Sequence, residues 1–222
     1  MNKLKVLSLS AAVASAIVSA SATAGVSGNV GFVSDYYFRG AVQSDATASA
    51  GVDYEHDSGV YAGVWAADVG GHGAASASEG IEYDLYAGFS GEASGVSYTV
   101  GYNTYNYTGD FDTYYGELYL SAGSGPVSVE FASGTHDVTG GTDEDFTFMG
   151  ITGEYKDLSL TFGSWGDDMD GDYVELAYGK TVSEIDLGVS IINGDATTTA
   201  GKNNIVTDGT AMVFSVGYGF DL

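Results

Sequence analysis

The feature that most constrains this sequence is a period of two, repeated in segments close to ten residues long. Ile81, Tyr83, Leu85, Ala87 and Phe89 share one parity, while Glu82, Asp84, Tyr86 and Gly88 share the other. Successive side chains of a strand point to opposite faces, so such a run is a strand with one apolar face. The pattern recurs at Val127, Val129 and Phe131, at Leu158, Leu160 and Phe162, and at Ile185, Leu187, Val189 and Ile191. It closes the chain at Phe214, Val216, Tyr218, Phe220 and Leu222. After Gly25 no helix-length stretch has apolar residues at helical spacing. Twelve segments follow the strand pattern: 26–38, 47–56, 59–68, 80–91, 96–108, 112–122, 126–135, 145–155, 158–166, 172–182, 185–193 and 210–222. Most have the length of a tilted strand crossing a bilayer, about 9–11 residues.

The connections point the same way. Asp57-Ser58, Glu92 to Gly95, Gly123 to Gly125, Lys156-Asp157 and Ser183-Glu184 are short. They alternate with Arg39 to Ala46, Val69 to Glu79, His136 to Glu144, Asp167 to Gly171 and Gly194 to Gly209, which are longer and more polar. Gly109 to Phe111 is the one brief connection on the long side. Short turns alternating with long loops along a meander is the plan of an antiparallel up-and-down transmembrane β-barrel, with short turns in the periplasm. An even strand number places both termini on that side.

Alternation alone also fits a soluble, secreted acidic β-sandwich. Three features favour the membrane. Glycine is abundant on the polar parity, where small residues leave room inside a barrel. Tyr36, Phe38, Tyr54, Tyr155, Tyr178, Tyr218 and Phe220 sit near strand ends, as interfacial aromatic girdles do. The last strand carries large alternating apolar residues to Leu222, the expected contact for the barrel-assembly machinery.

The first 24 residues read as a cleaved signal peptide rather than part of the 25–222 barrel. Lys3 and Lys5 form a positive start, Val6 to Val18 an apolar run, and Ala22-Thr23-Ala24 a small-x-small cleavage site. An uncleaved anchor is the alternative, but the apolar run falls short of the roughly 20 residues a spanning helix needs. The expected location is the outer membrane of a Gram-negative bacterium, among lipid and lipopolysaccharide. The sequence has no cysteine and a net charge of −24. Disulfides, thiolate metal sites and cysteine nucleophiles are thereby excluded. Nucleic acid is excluded by the missing basic footprint.

Gly31 to Ser44 reads Gly-Phe-Val-Ser-Asp-Tyr-Tyr-Phe-Arg-Gly-Ala-Val-Gln-Ser. This resembles the opening motif of the TorF-type porin family of proteobacteria, long carried as proteins of unknown function. The motif Ser-Asp-Tyr-x-Phe-Arg-Gly-x-x-Gln matches Ser34, Asp35, Tyr36, Phe38, Arg39, Gly40 and Gln43. Gly51 to His56, then Ser58-Gly59, Tyr61, Gly63 and Trp65, continue the likeness, which departs at Ala66-Ala67-Asp68. The resemblance implies an outer-membrane barrel and a channel, and supplies no substrate.

Parity assigns the faces. With Phe32, Tyr36 and Phe38 toward lipid, Asp35, Tyr37 and Arg39 face the lumen. The same logic places Asp53, Glu55, Glu82, Asp84, Glu117, Glu130, Glu154, Glu175, Asp186 and Asp221 inside, against one inward base, Arg39. Lys180 takes the lipid-facing parity near a strand end, where it reaches the headgroups. An Arg or Lys on the lipid face at midplane costs about 2–4 kcal/mol, so the charge-rich parity is the wet one. A carboxylate-lined lumen favours cations. Arg39 is expected to tie to Asp35 or a neighbouring strand carboxylate, with a role in binding solute as the alternative. Lumenal Tyr37, Tyr105, Tyr115, Tyr119 and Trp165 either line a solute path or plug the barrel, since small barrels are filled by side chains.

The expected function is therefore passive diffusion of small hydrophilic, preferentially cationic solutes through a porin-like channel. A closed barrel acting in surface interaction or envelope structure is the alternative. No cofactor is expected. Asp168, Asp170 and Asp172 alternate around Gly171 as in calcium loops, but the twelfth position is Gly179 where an EF-hand needs Glu. A surface divalent site bridging lipopolysaccharide phosphates and a plain solvated loop both fit that segment. His56, His72 and His136 follow no serine-hydrolase motif, so no enzymatic activity is expected.

Overall fold

The computed structural model describes residues 25–70, 79–197 and 199–222. The proposed signal segment and His72 lie outside these residues. Twelve long strands form the wall: β1 (Gly25–Phe38), β2 (Ala41–Glu55), β3 (Val60–Val69), β4 (Gly80–Ala93), β5 (Val96–Tyr107), β6 (Tyr115–Ser124), β7 (Val127–His136), β8 (Glu144–Tyr155), β9 (Leu158–Asp167), β11 (Asp172–Val182), β12 (Ile185–Asp195) and β14 (Gly209–Asp221). Two dipeptides, β10 (Met169–Asp170) and β13 (Asn203–Asn204), pair in parallel outside the wall. Each wall strand pairs antiparallel with its sequence neighbour, and β1 closes on β14 from Ser27↔Asp221 to Val33↔Ser215. Closure satisfies every edge, which a bilayer demands of a structure spanning it with strands.

The wall is dressed for lipid. Phe32, Leu85, Ile151, Leu160, Leu176 and Phe214 all point outward, each 45–57% exposed. The intervening residues Glu82, Asp84, Thr161, Glu175 and Ser190 are buried inside. A soluble barrel shows the reverse, and an apolar surface this continuous marks a membrane face. Tyr54, Tyr155, Tyr178, Tyr218 and Phe220 are exposed near the short-turn end, as a girdle requires. Lys180 is exposed on the outward parity near the Ser183-Glu184 turn. The protein is a transmembrane β-barrel.

The first hairpin departs from the sequence expectation. Arg39 to Ala46 is not a long loop: β1 and β2 continue to a two-residue turn, Arg39-Gly40. Both turn residues have positive φ, 46° and 84°, the requirement of a type I′ hairpin. The register slips between Tyr36 and Tyr37, and Ala46 also has positive φ (52°). These irregularities bend the tip out of the wall and into the barrel. Tyr36 and Phe38 consequently leave the lipid-facing parity. Tyr36 is 5% exposed and hydrogen-bonded to Glu82, and Phe38 packs on Tyr105 and Trp165.

The outer half of the lumen is packed. One cluster holds Phe146, Phe148, Trp165, Met169, Tyr173, Ile192 and Val206; another holds Tyr36, Trp65, Val69 and Tyr105. Val33, Phe38 and Tyr115 touch both. The loop between β12 and β14 contributes Val206 and lies across the tip, where the Thr207 amide donates to the Gly40 carbonyl at 2.9 Å. Inward glycine makes this density possible: a Cβ on Gly163 would lie 2.2 Å from the Tyr173 ring. Toward the short-turn end the inner face changes to small residues, among them Ser49, Gly51, Gly101, Ser121, Gly188 and Ser215.

Candidate functional site

The site is built around the turn residue Arg39, which is 2% exposed. Its two terminal nitrogens donate to Glu117 Oε2 at 2.7 Å and Oε1 at 3.1 Å, the bidentate geometry that suits a guanidinium and a carboxylate. Glu117, on β6, is 0% exposed and also accepts from Tyr105 Oη (2.8 Å) and Asn103 Nδ2 (3.0 Å) on β5. The guanidinium carbon lies 4.5 Å from the Phe148 ring centre, 4.9 Å from Phe38 and 5.8 Å from Trp165. The aromatic faces supply cation–π attraction in a desolvated setting. Trp165 Nε1 donates to the Arg39 carbonyl at 3.0 Å, fixing the turn itself. Arg39 therefore ties to Glu117, 78 residues away, and not to Asp35.

The other lumenal acids spread in depth. Glu82 and Asp84 are buried side by side on one face of β4, with Tyr36 Oη donating to Glu82 at 2.9 Å. Glu175 is buried on β11. Lower down, Asp53 accepts from Tyr86 and Asn29, and Glu130 from Tyr119. Glu55 and Asp186 are half-buried near the short-turn end, and Glu154 is exposed there. Asp35 is half-buried on the bent tip, opposite Asp45 in register. Tyr105, Tyr119 and Trp165 are buried inside, and Tyr37 and Tyr115 are packed against the upper cluster. The packed interior thus holds Glu82, Asp84, Glu117 and Glu175 with the single guanidinium of Arg39.

Gly40 is a requirement of this tip. Its φ is +84°, and a Cβ would lie 2.7 Å from Tyr173 Cδ1. The left-handed backbone alone costs an L residue about 1–2 kcal/mol. Gly40→Val is expected to destabilise the barrel by at least that amount and to lift the turn from Trp165. Urea unfolding of the refolded protein, followed by tryptophan fluorescence, checks both. Unchanged unfolding would show that the tip does not pack here.

Outside the lumen, Asp168 Oδ2 accepts the Asp145 amide, and Asp170 accepts the Gly171 and Thr199 amides. Asp172 is exposed at the start of β11. These acids cap turns, and among the described residues no three His, Asp or Glu are placed to hold a metal ion. At the outer rim Thr113 Oγ1 stands 3.0 Å from His136 Nε2. Asp112 lies 3.1 Å from the same nitrogen, and Glu144 is 3.5 Å from Nδ1. Each ring nitrogen thus faces a carboxylate, with the closer contact at Nε2. The ring stacks on Tyr115 at 3.9 Å, so the group is a clasp between loop 108–114 and β7.

Burial pushes the Asp112 carboxyl up, but hydrogen bonds from His136, the Thr113 amide and Tyr115 outweigh it and hold it below its ordinary value. A carboxyl so depressed adds stability above its ordinary range and loses it as pH falls through the depressed value. Acidification is expected to loosen loop 108–114 first, read as faster limited proteolysis there. Cleavage indifferent to acid would contradict the clasp.

Several residues of the site escape a plain reading of the strands. Phe146, Phe148, Trp65 and Tyr173 are legible by extending the parity of Glu154, Gly63 and Glu175 along their strands. Tyr36 and Phe38 are not, because the backbone bends between the wall and the turn. Ile205-Val206 stands out only as an apolar pair in a polar loop.

Comparison with known proteins places the whole chain. Residues 18–217 match the model of a family described as bacterial protein of unknown function (Gcw_chp). No curated protein matches the sequence. Among solved structures the chain is similar to the KdgM porin in complex with disordered oligogalacturonate, with TM-score 0.51 and 11% identity over 88% of this chain and 99% of that one. It is also similar to outer membrane phospholipase A from Escherichia coli, with TM-score 0.49 and 12% identity over 87% and 92%. At such identities the likeness to the KdgM porin is one of fold, and that to the phospholipase carries nothing further. The chain belongs to the Gcw_chp family of bacterial proteins and folds as an outer-membrane β-barrel.

Proposed function

We propose that this protein is a porin-like channel of the TorF type that passes small hydrophilic solutes, cations ahead of anions. The observation that carries the reading is the acidic character of the interior: Glu82, Asp84, Glu117 and Glu175 are buried inside, with Arg39 as their one guanidinium. Asp53, Glu130 and Asp186 extend the acidic lining toward the short-turn end. Carboxylate-lined pores prefer cations. The KdgM porin is seen with oligogalacturonate, a polyanion. The interior here is acidic, so the proposed solutes carry the opposite charge to that ligand. The proposed surroundings are outer-membrane lipid and lipopolysaccharide, with the final strand read by the assembly machinery.

The packed outer half of the lumen favours a second reading, a closed barrel serving the envelope or its surface contacts. Single-channel recording of the refolded protein across a potassium chloride gradient separates the two. Discrete steps with a reversal potential on the cation side are expected. A folded but silent barrel would leave the second reading in place, and an anion-side reversal would overturn the role of the acidic lining.

A further inference from the structure

The grip on Arg39 is divided unequally between tip and wall. Glu117, Tyr105 and Asn103 belong to β6 and β5, and Phe148 and Trp165 to β8 and β9. Of the groups around the guanidinium, Phe38 alone comes from the tip. Tyr105 and Asn103 both donate to Glu117 Oε1, so the carboxylate is oriented by the wall whether or not Arg39 is present. An oriented, desolvated carboxylate flanked by aromatic faces is a receptor for a planar cation. The cation now in it arrives on a hairpin turn with φ of 46° at Arg39, joined to the wall through the register slip at Tyr36/Tyr37 and the positive φ of Ala46.

We propose that the barrel carries a binding site for guanidinium-bearing solutes, formed by Glu117, Tyr105, Asn103, Phe148 and Trp165, and that Arg39 fills it as an internal ligand. The tip is then a plug held by the same contacts a solute would make. A guanidinium solute competes with Arg39 for Glu117 and releases the turn, whereas a simple ammonium fits less well because it lacks the planar fork. This deepens the channel reading by naming the solute class and the closing device. The binding step itself does not require conduction.

The test uses the full barrel refolded in lipid nanodiscs, with methylguanidinium and methylammonium as probes. Arg39→Gly removes the internal ligand and suits the positive φ of the turn. Arg39→Gly is expected to bind methylguanidinium saturably, read by Trp165 fluorescence and calorimetry. Binding is expected to be roughly ten-fold or more tighter than that of methylammonium, or of methylguanidinium to the unmodified protein, as a charge-assisted pair requires. Adding Glu117→Gln on the Arg39→Gly background is expected to abolish it. Absence of saturable binding, or binding indifferent to Glu117→Gln, would overturn the proposal. Should Arg39→Gly not refold, Arg39→Lys keeps the charge and loses the fork. Methylguanidinium is then expected to bind Arg39→Lys more tightly than the unmodified protein, and equal binding would overturn the site. Conductance of the same variants is recorded separately. Silence with guanidinium binding removes the channel and keeps the site, whereas current without guanidinium binding removes the site and keeps the channel.

Discussion

Glu117→Gln is expected to cost the folded barrel about 3–5 kcal/mol, the penalty of leaving one member of a buried ion pair without its partner. Glu117 is fully buried and accepts from Arg39 twice, from Tyr105 and from Asn103. The amide keeps the shape but removes the charge and one acceptor oxygen. While the tip stays docked the Arg39 side chain remains buried, since its carbonyl is held by Trp165 and the next residue by Thr207. Urea unfolding in lipid vesicles measures the loss. The double variant Arg39→Met, Glu117→Leu is expected to recover only part of it, because it removes the buried charge but leaves the Tyr105 and Asn103 donors without their acceptor. A single variant within about 0.5 kcal/mol of the parent, the range of an ordinary surface substitution, would show that the pair is hydrated in the membrane. The same result would remove the receptor geometry proposed for guanidinium solutes.

The barrel was legible in the sequence because lipid outside and water inside impose a strict period of two on every strand. Along Ile81 to Phe89 one parity is exposed throughout, while the other is buried at Glu82 and Asp84 and half-buried at Tyr86 and Gly88. The last strand was legible too, in the apolar parity reaching Leu222. What escaped was the point where the period ceases to describe the backbone. Tyr36 and Phe38 share parity with Phe32, which faces lipid, yet both are inside. Two local events intervene, a register slip and a positive-φ alanine, and neither residue type announces them. Gly40 carried the one available hint: a two-residue type I′ turn needs positive φ at both central residues, and glycine supplies one of them freely. The partner of Arg39 was illegible for a different reason. Glu117 is 78 residues away, and only the closed circuit of strands brings β6 opposite the tip. Sequence separation therefore favoured Asp35, while geometry placed that residue opposite another acid, Asp45.

The assignment of faces has a sharper consequence at two adjacent residues of β14. Val216 is 40% exposed on the outer face, in register with Phe32 on β1 and Leu187 on β12, both exposed and apolar. Ser215 points inward, with Gly188 beside it in register. Val216→Arg is expected to cost about 2–4 kcal/mol, the depth-dependent cost of a cation on the lipid face of a barrel. It is also expected to reduce assembly into the membrane, read by the loss of the heat-modifiable folded band. Ser215→Arg, one residue away, places the same side chain in an acidic interior where glycine leaves it room, and is expected to keep assembly intact. The pair controls for the bulk and helix-or-strand preference of arginine, so the difference reports solvent alone. Equal tolerance of both substitutions would mean that the outer face is not in hydrocarbon. Greater harm at Ser215 would mean that water and lipid are on the opposite sides of this wall, and the acidic lumen could not then select a solute. The cost at Val216 and the cost at Glu117 are thus two views of one condition. The wall keeps its buried acids on the inner face, and Arg39 joins them there because the chain bends at the tip.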